Sequence, residues 1–127
     1  MTTRSELRQT FYENMLSDSP SSVRYWALTE WDEKPGEPEF SRLVVKEFGD
    51  EDVNGPALSR HEVTVDDMAR GWQLLVKHEA DGKFHHCGSS DSVRTAEKSI
   101  NADAADYDAC VIDAVIQLAI LGEVRYG

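Results

Sequence analysis

Residues 64–76 read TVDDMARGWQLLV, and this stretch contains the clearest helix start in the chain. Thr64 followed three residues later by Asp67 approximates a capping box, in which two side chains satisfy amide groups of the first helical turn. Apolar residues then recur at helical spacing, and Asp81-Gly82 supplies a stop. The pattern predicts an amphipathic helix over Val65–Ala80 that places Trp72 in the core.

The region upstream of this helix predicts a small antiparallel sheet. Val23–Trp31 and Phe40–Phe48 are rich in β-branched and aromatic residues, as strands are. The connection Asp32–Glu39 contains two prolines and a glycine, which is typical of a long hairpin turn. Gly49–Ser59 is polar and contains Gly55 and Pro56, so we expect an exposed loop there.

Three further helices are predicted from apolar periodicity and capping residues. They are Ser5–Leu16, capped by Ser5, a short helix over Val93–Ile100, and a last helix over Asp103–Leu121 that ends at Gly122. Together with the hairpin, these elements predict an α+β fold in which a small antiparallel sheet packs against about three main helices. A chain of 127 residues is the usual size of one domain, so we expect a single domain over residues 1–127.

The last helix is apolar on nearly all sides, which predicts that it is buried in a core or shared with a second chain. A symmetric dimer is the commonest closed assembly and is therefore the expected stoichiometry. The same helix carries Asp106, Cys110, Asp113 and Gln117 at spacings that align them on one face. This polar seam is interpreted either as a partner contact through Asp113 and Gln117 or as a solvated stripe.

The formal net charge of -11 argues against direct binding to nucleic acid or to anionic lipid, because both are polyanions. The longest nearly apolar run, Ala109–Leu121, falls short of the roughly 20 residues that cross a bilayer, and no secretory signal is recognisable. Only Cys87 and Cys110 are present, and we interpret them as reduced thiols, with a single disulfide between them as the alternative. These features predict a cytoplasmic protein that does not engage a membrane.

Acidity is concentrated between Glu30 and Asp52, which suggests a binding surface for a protein partner with a basic face. The candidate binding residues on the hairpin and the following loop are Glu37, Glu39, Asp50, Glu51 and Asp52. Such a surface has the charge of DNA and would suit an inhibitor of a host nucleic-acid or defence enzyme. The alternative interpretation is that the carboxylates serve solubility only.

His85, His86 and Cys87 gather metal-ligand side chains in one short span, but their spacing matches no known zinc pattern. Sequence neighbours such as His86 and Cys87 rarely have the geometry of a nucleophile and its base. No nucleophile elbow, P-loop or dinucleotide-binding glycine motif is present either. We therefore predict no catalytic residues, no metal, no cofactor and no enzyme activity, with a small metal-dependent enzyme using these three residues as an alternative.

Residues 106–127, DYDACVIDAVIQLAILGEVRYG, resemble the C-terminus of small uncharacterised proteins of actinobacterial bacteriophages. Residues 65–76 resemble an upstream helix of the same proteins. The resemblance implies a phage or prophage origin and places the protein in the host cytoplasm, but it implies no activity. The predicted function is that of a phage accessory protein that acts by binding another protein, and the alternative is a virion or assembly component that oligomerises through its last helix.

Overall fold

The computed structural model describes residues 5–49, 54–82, 90–102 and 107–127. In chain order the elements are α1 (Glu6–Ser17), α2 (Ser19–Val23), β1 (Ala27–Trp31), β2 (Arg42–Glu47), β3 (Ser59–Thr64), α3 (Val65–Ala80), α4 (Ser90–Ser99), a short 3-10 turn (Ile100–Ala102) and α5 (Ala109–Leu121). The three strands form one antiparallel sheet in the order β1-β2-β3. This architecture confirms the predicted α+β class.

The starts of α1 and α3 agree with the prediction to within one residue. The Ser5 side chain accepts a hydrogen bond from the amide of Arg8, which caps α1. At α3, the carboxylate of Asp67 accepts from the amide of Thr64 at 2.8 Å, as the capping box requires. Trp72 on α3 is fully buried, which confirms its place in the core.

Several predicted boundaries are wrong, and one strand was missed. The short helix predicted over Val93–Ile100 is α4, which begins earlier, at Ser90, and ends at Ser99. Residues 23–26 are not part of β1, because the serine-rich segment with Pro20 near its start forms the short helix α2. The strand β3 was missed, since Ser59–Thr64 carries polar residues on both faces and shows little apolar alternation. The helix α5 starts at Ala109, where the Asp108 side chain caps it, and residues 103–106 lie outside the described residues.

The core is built around α5, which packs against α3 and α2. Gly71 permits the closest approach, because a Cβ atom at that position would lie 2.2 Å from the carbonyl oxygen of Val115. Every residue from Val111 to Leu118 is buried within the one chain. The all-round apolarity of α5 is therefore explained without a second chain, and the reason for expecting a dimer is removed.

Cys110 corrects the expectation of reduced thiols, because it is disulfide-bonded. The other cysteine of the chain, Cys87, lies outside the described residues. None of the described helices is long and apolar enough to cross a bilayer.

Candidate partner-binding site

The structure separates the residues that the sequence grouped as binding candidates. Glu37 and Glu39 lie exposed on the connection between β1 and β2. Asp113 and Gln117 lie inside the protein, with 2% and 0% of their surfaces exposed. Asp50, Glu51, Asp52, His85, His86 and Cys87 are outside the part of the chain that the structure describes.

Asp113 forms the centre of a buried polar network. Its Oδ1 atom accepts from the indole of Trp26 at 2.8 Å and from the amide of Gln117 at 2.9 Å. Its Oδ2 atom accepts from the hydroxyl of Tyr25, and burial together with this hydrogen bond raises the pKa of Tyr25. The interpretations of Asp113 and Gln117 as a partner contact or as a solvated stripe are both wrong, because α5 is central and its polar face also points inward.

Gln117 holds the C-terminal tail, residues 123–127, against α5. Its Oε1 atom accepts from the backbone amides of Arg125 at 2.6 Å and Tyr126 at 2.8 Å, and its Nε2 atom donates to the carbonyl of Tyr126 at 3.0 Å. The ring of Tyr126 stacks on Trp26, with 5.1 Å between centroids. One amide side chain thus satisfies tail backbone groups in the way a neighbouring strand would.

Glu47 on β2 extends the network to the sheet. Its carboxylate accepts from Ser59 at 2.7 Å, from the Arg125 guanidinium at 3.2 Å and from the hydroxyl of Tyr126. Burial favours the neutral acid, but the three hydrogen bonds outweigh burial and lower the pKa of Glu47. Gly49, at φ +62°, leaves room for the Tyr126 hydroxyl, which would lie 2.7 Å from a Cβ atom. These carboxylate oxygens are therefore committed to the fold.

We call this connected set the tail network; its members are Tyr25, Trp26, Glu47, Asp113, Gln117, Arg125 and Tyr126. Sequence reasoning missed it because its members are far apart in the chain. Trp26 and Tyr126 come from opposite ends, and no local pattern connects them. The one available signal was Glu47, a carboxylate placed at the end of the apolar run of β2, where a buried charge requires partners.

A second carboxylate-rich region lies on the surface, in an open cleft of about 470 Å³ between α1, the β1–β2 connection and the start of α3. We call it the acidic cleft. Its lining includes four carboxylates and one cationic side chain: Glu13, Glu37, Glu39, Asp66 and Arg42.

The charges of the acidic cleft are only partly compensated. Arg42 pairs with Glu37 at 2.9 Å and with Glu62 at 3.6 Å. The hydrogen bond from Arg42 holds the pKa of Glu37 below its usual value, so this carboxylate stays ionised. Glu13 and Glu39 are exposed and have no ion-pair partner among the residues described. The cleft therefore offers negative charge to an incoming cation.

Phe40 gives the acidic cleft an aromatic rim. Its side chain is 49% exposed, and its backbone lies at φ +57°, a region in which bulky residues are genuine outliers. The ring meets the edge of Trp31 with 5.2 Å between centroids. Strained backbone of this kind is found most often at binding sites and catalytic sites.

Another open cleft, of about 500 Å³, lies beside the tail network and includes His61 and Ser59. The Nε2 atom of His61 lies 3.0 Å from the hydroxyl of Ser59, which donates to Glu47. In a nucleophilic serine the hydroxyl donates to the histidine that removes its proton. Ser59 instead donates its hydrogen bond to Glu47, so its hydroxyl is not oriented as a nucleophile toward His61. Ser59, His61 and Glu47 therefore form a structural contact at the end of the sheet. Within the described ranges, no group of three side chains is placed to hold a metal ion.

Comparison with protein-family models, with curated proteins and with solved structures gave no match for this chain.

Proposed function

We propose that this protein acts by binding a partner protein, whose cationic side chains enter the acidic cleft beside Phe40. The observation that carries the proposal is the placement of an exposed, strained aromatic residue, Phe40, in one cleft with Glu13 and Glu39, two exposed carboxylates for which no ion pair is seen among the described residues. The tail network gives the contrast, since its carboxylates are saturated with internal donors. Residues with a strained backbone cluster at functional sites. The strain at Phe40 therefore favours a binding role for this residue.

The chemistry of the acidic cleft suits lysine and arginine. A cation over the face of Phe40 is attracted by the ring, with a contribution of about 0.5–1 kcal/mol at exposed sites. Glu13 and Glu39 would receive the same cation or its neighbour as ion-pair partners. The net charge of -11 adds long-range attraction for a basic surface and raises the rate of encounter.

The class of partner that fits best is a protein with a basic face that normally contacts nucleic acid. Such a face is complementary to the acidic cleft, and occupying it would exclude the nucleic acid. The protein would then act as an accessory inhibitor and not as an enzyme, which agrees with the phage origin that the sequence resemblance implies.

The test is a binding titration with a synthetic peptide rich in lysine and arginine. We expect the double variant Glu13→Gln/Glu39→Gln to weaken binding by about tenfold, since two charges at the contact are lost. The matched control Glu6→Gln/Asp81→Asn makes the same change in net charge at exposed positions outside the cleft. Binding by the control should stay within about twofold of the parent, because exposed charges are screened beyond about 8 Å at physiological salt.

Phe40→Ala completes the test, because it removes the aromatic surface without changing any charge. Weaker binding by this variant at high salt, where steering is screened, would show that the ring makes a contact. Equal loss in the cleft variant and its control would show that only net charge matters, and the proposal would be wrong.

A further inference from the structure

The exposed side of β1 presents free backbone groups. The amide of Asp32 donates to the carbonyl of Arg42 at 2.9 Å, and the amide of Phe48 donates to the carbonyl of Trp26 at 3.0 Å. Trp26 and Asp32 therefore direct their backbone groups toward β2. Because these groups alternate in direction along a strand, Thr29 and Trp31 direct theirs away from the sheet.

No described residue satisfies these outward groups. β1 is an edge strand, and no backbone or side-chain hydrogen bond reaches Thr29 or Trp31 from outside the sheet among the residues described. The helix α2 packs near the start of β1 and leaves Ala27 buried, whereas Leu28 and Glu30 are exposed. The accessible part of the edge is therefore its second half, next to Phe40.

The opposite edge of the sheet has a different character. On β3 the same alternation directs the backbone of Arg60 and Glu62 outward, and both side chains are exposed charges of opposite sign. Charged side chains are a common protection of edge strands against pairing. The β1 edge carries the exposed Leu28 and Glu30, so its exposed charge is of one sign; it is followed by Asp32, which pairs with Lys34 at 3.7 Å, and by Glu33.

We infer that the β1 edge receives an extended segment of the partner protein as a fourth strand, and that this segment alternates basic and apolar residues. The inference rests on the proposed function, because the Trp31–Phe40 contact joins this edge to the acidic cleft. Main-chain hydrogen bonds to Thr29 and Trp31 supply the pairing, as in other complexes formed by strand addition. Basic and apolar residues alternate in this segment because successive side chains of a strand point to opposite faces of the sheet.

Charge complementarity selects this occupant over a second copy of the chain. On the outer face of the sheet the incoming strand meets the carboxylate of Glu30, which a basic residue neutralises. On the inner face it meets Thr29 and Trp31, where an apolar residue fits. A second copy would bring its own net charge of -11 and its own Glu30 to the same edge.

The probe is a synthetic peptide of alternating lysine and valine, and the critical variant is Thr29→Pro. Proline removes the outward amide of Thr29 but no hydrogen bond to β2, and proline is tolerated on edge strands. We expect Thr29→Pro to bind the peptide at least about tenfold more weakly, because pairing is blocked at the centre of the edge. The control is Arg60→Pro, which makes the same backbone change on β3. Because this substitution removes a positive charge, it does not lower the electrostatic attraction for the basic peptide.

Hydrogen exchange gives an independent readout. The amide protons of Thr29 and Trp31 should become protected when the parent binds the peptide, while those of Arg60 and Glu62 should not. Circular dichroism of Thr29→Pro and Arg60→Pro confirms that both are folded. Should Thr29→Pro not fold, protection of the two amides in the parent decides the question alone.

Four results would overturn the inference. Parent-like binding by a folded Thr29→Pro, or binding without protection at Thr29 and Trp31, would place the peptide elsewhere. If Glu13→Gln/Glu39→Gln still weakened binding in that case, the proposed function would stand while strand addition fell. A dimer of the parent in sedimentation that Thr29→Pro dissociates would assign the edge to a second copy. If no cleft or edge variant alters binding, the inference and the proposed function fail together.

Discussion

The tail network and the acidic cleft use the same chemical group in opposite ways. In the tail network, Asp113 and Glu47 are buried and receive hydrogen bonds from donors that the fold brings to them. In the acidic cleft, Glu13 and Glu39 remain exposed, beside a half-exposed ring. The comparison teaches that carboxylates surrounded by internal donors stabilise the fold, whereas carboxylates without such donors are available for the binding that we propose.

The largest expected effect comes from removing the centre of the tail network. Asp113→Ala leaves the indole N–H of Trp26 and one N–H of the Gln117 amide without an acceptor in a buried place. We expect the free energy of unfolding to fall by about 3 kcal/mol, since each buried unsatisfied donor costs about 1–3 kcal/mol. Chemical denaturation measures the change. An unaltered midpoint would show that Asp113 does not stabilise the fold.

A smaller effect is expected at the other end of the network. Glu47→Gln should cost about 2 kcal/mol at neutral pH, because the new amide group faces donors and not acceptors. The pKa of Glu47 is lowered in the folded protein, so its contribution is present above the usual glutamate range and is lost as the pH falls through the folded value. The parent should therefore lose stability on acidification below the ordinary value of 4.5, and Glu47→Gln should lose less.

Unfolding curves of the parent and Glu47→Gln across this acidic range give the comparison. Parallel dependence of the two midpoints on pH would mean that the Glu47 carboxylate does not titrate differently in the folded and unfolded protein, contrary to the hydrogen bonds around it.

Local patterns in the sequence predicted elements, but they did not predict which faces are covered. The capping box at Thr64 and the stripe through Trp72 involve residues within a few positions of one another, so the α3 helix was predicted correctly. The placement of Gln117 depends on the tail and on α3 packing against α5, which no local pattern encodes. Glu39 was predicted as a surface binding residue because it lies in a polar turn between two strands. Phe40 was missed because its positive φ arises only in the folded connection.

The smallest expected effect on stability belongs to the acidic cleft. Glu13→Gln/Glu39→Gln should change the free energy of unfolding by less than about 0.5 kcal/mol, as exposed positions away from structural features usually do. The same denaturation experiment used for Asp113→Ala measures it. A large loss would show that these carboxylates support the fold, and the distinction between the two regions would disappear.

The central claim is that binding takes place at the acidic cleft and spares the tail network, and a nuclear magnetic resonance titration tests it most directly. Isotope-labelled protein is titrated with the peptide rich in lysine and arginine, and the amide signals are followed residue by residue. We predict that the largest shifts occur at Glu39 and Phe40, while Asp113 and Gln117 remain unchanged. Shifts centred on Gln117 and Tyr126, or scattered over the surface with no maximum at the acidic cleft, would contradict the account.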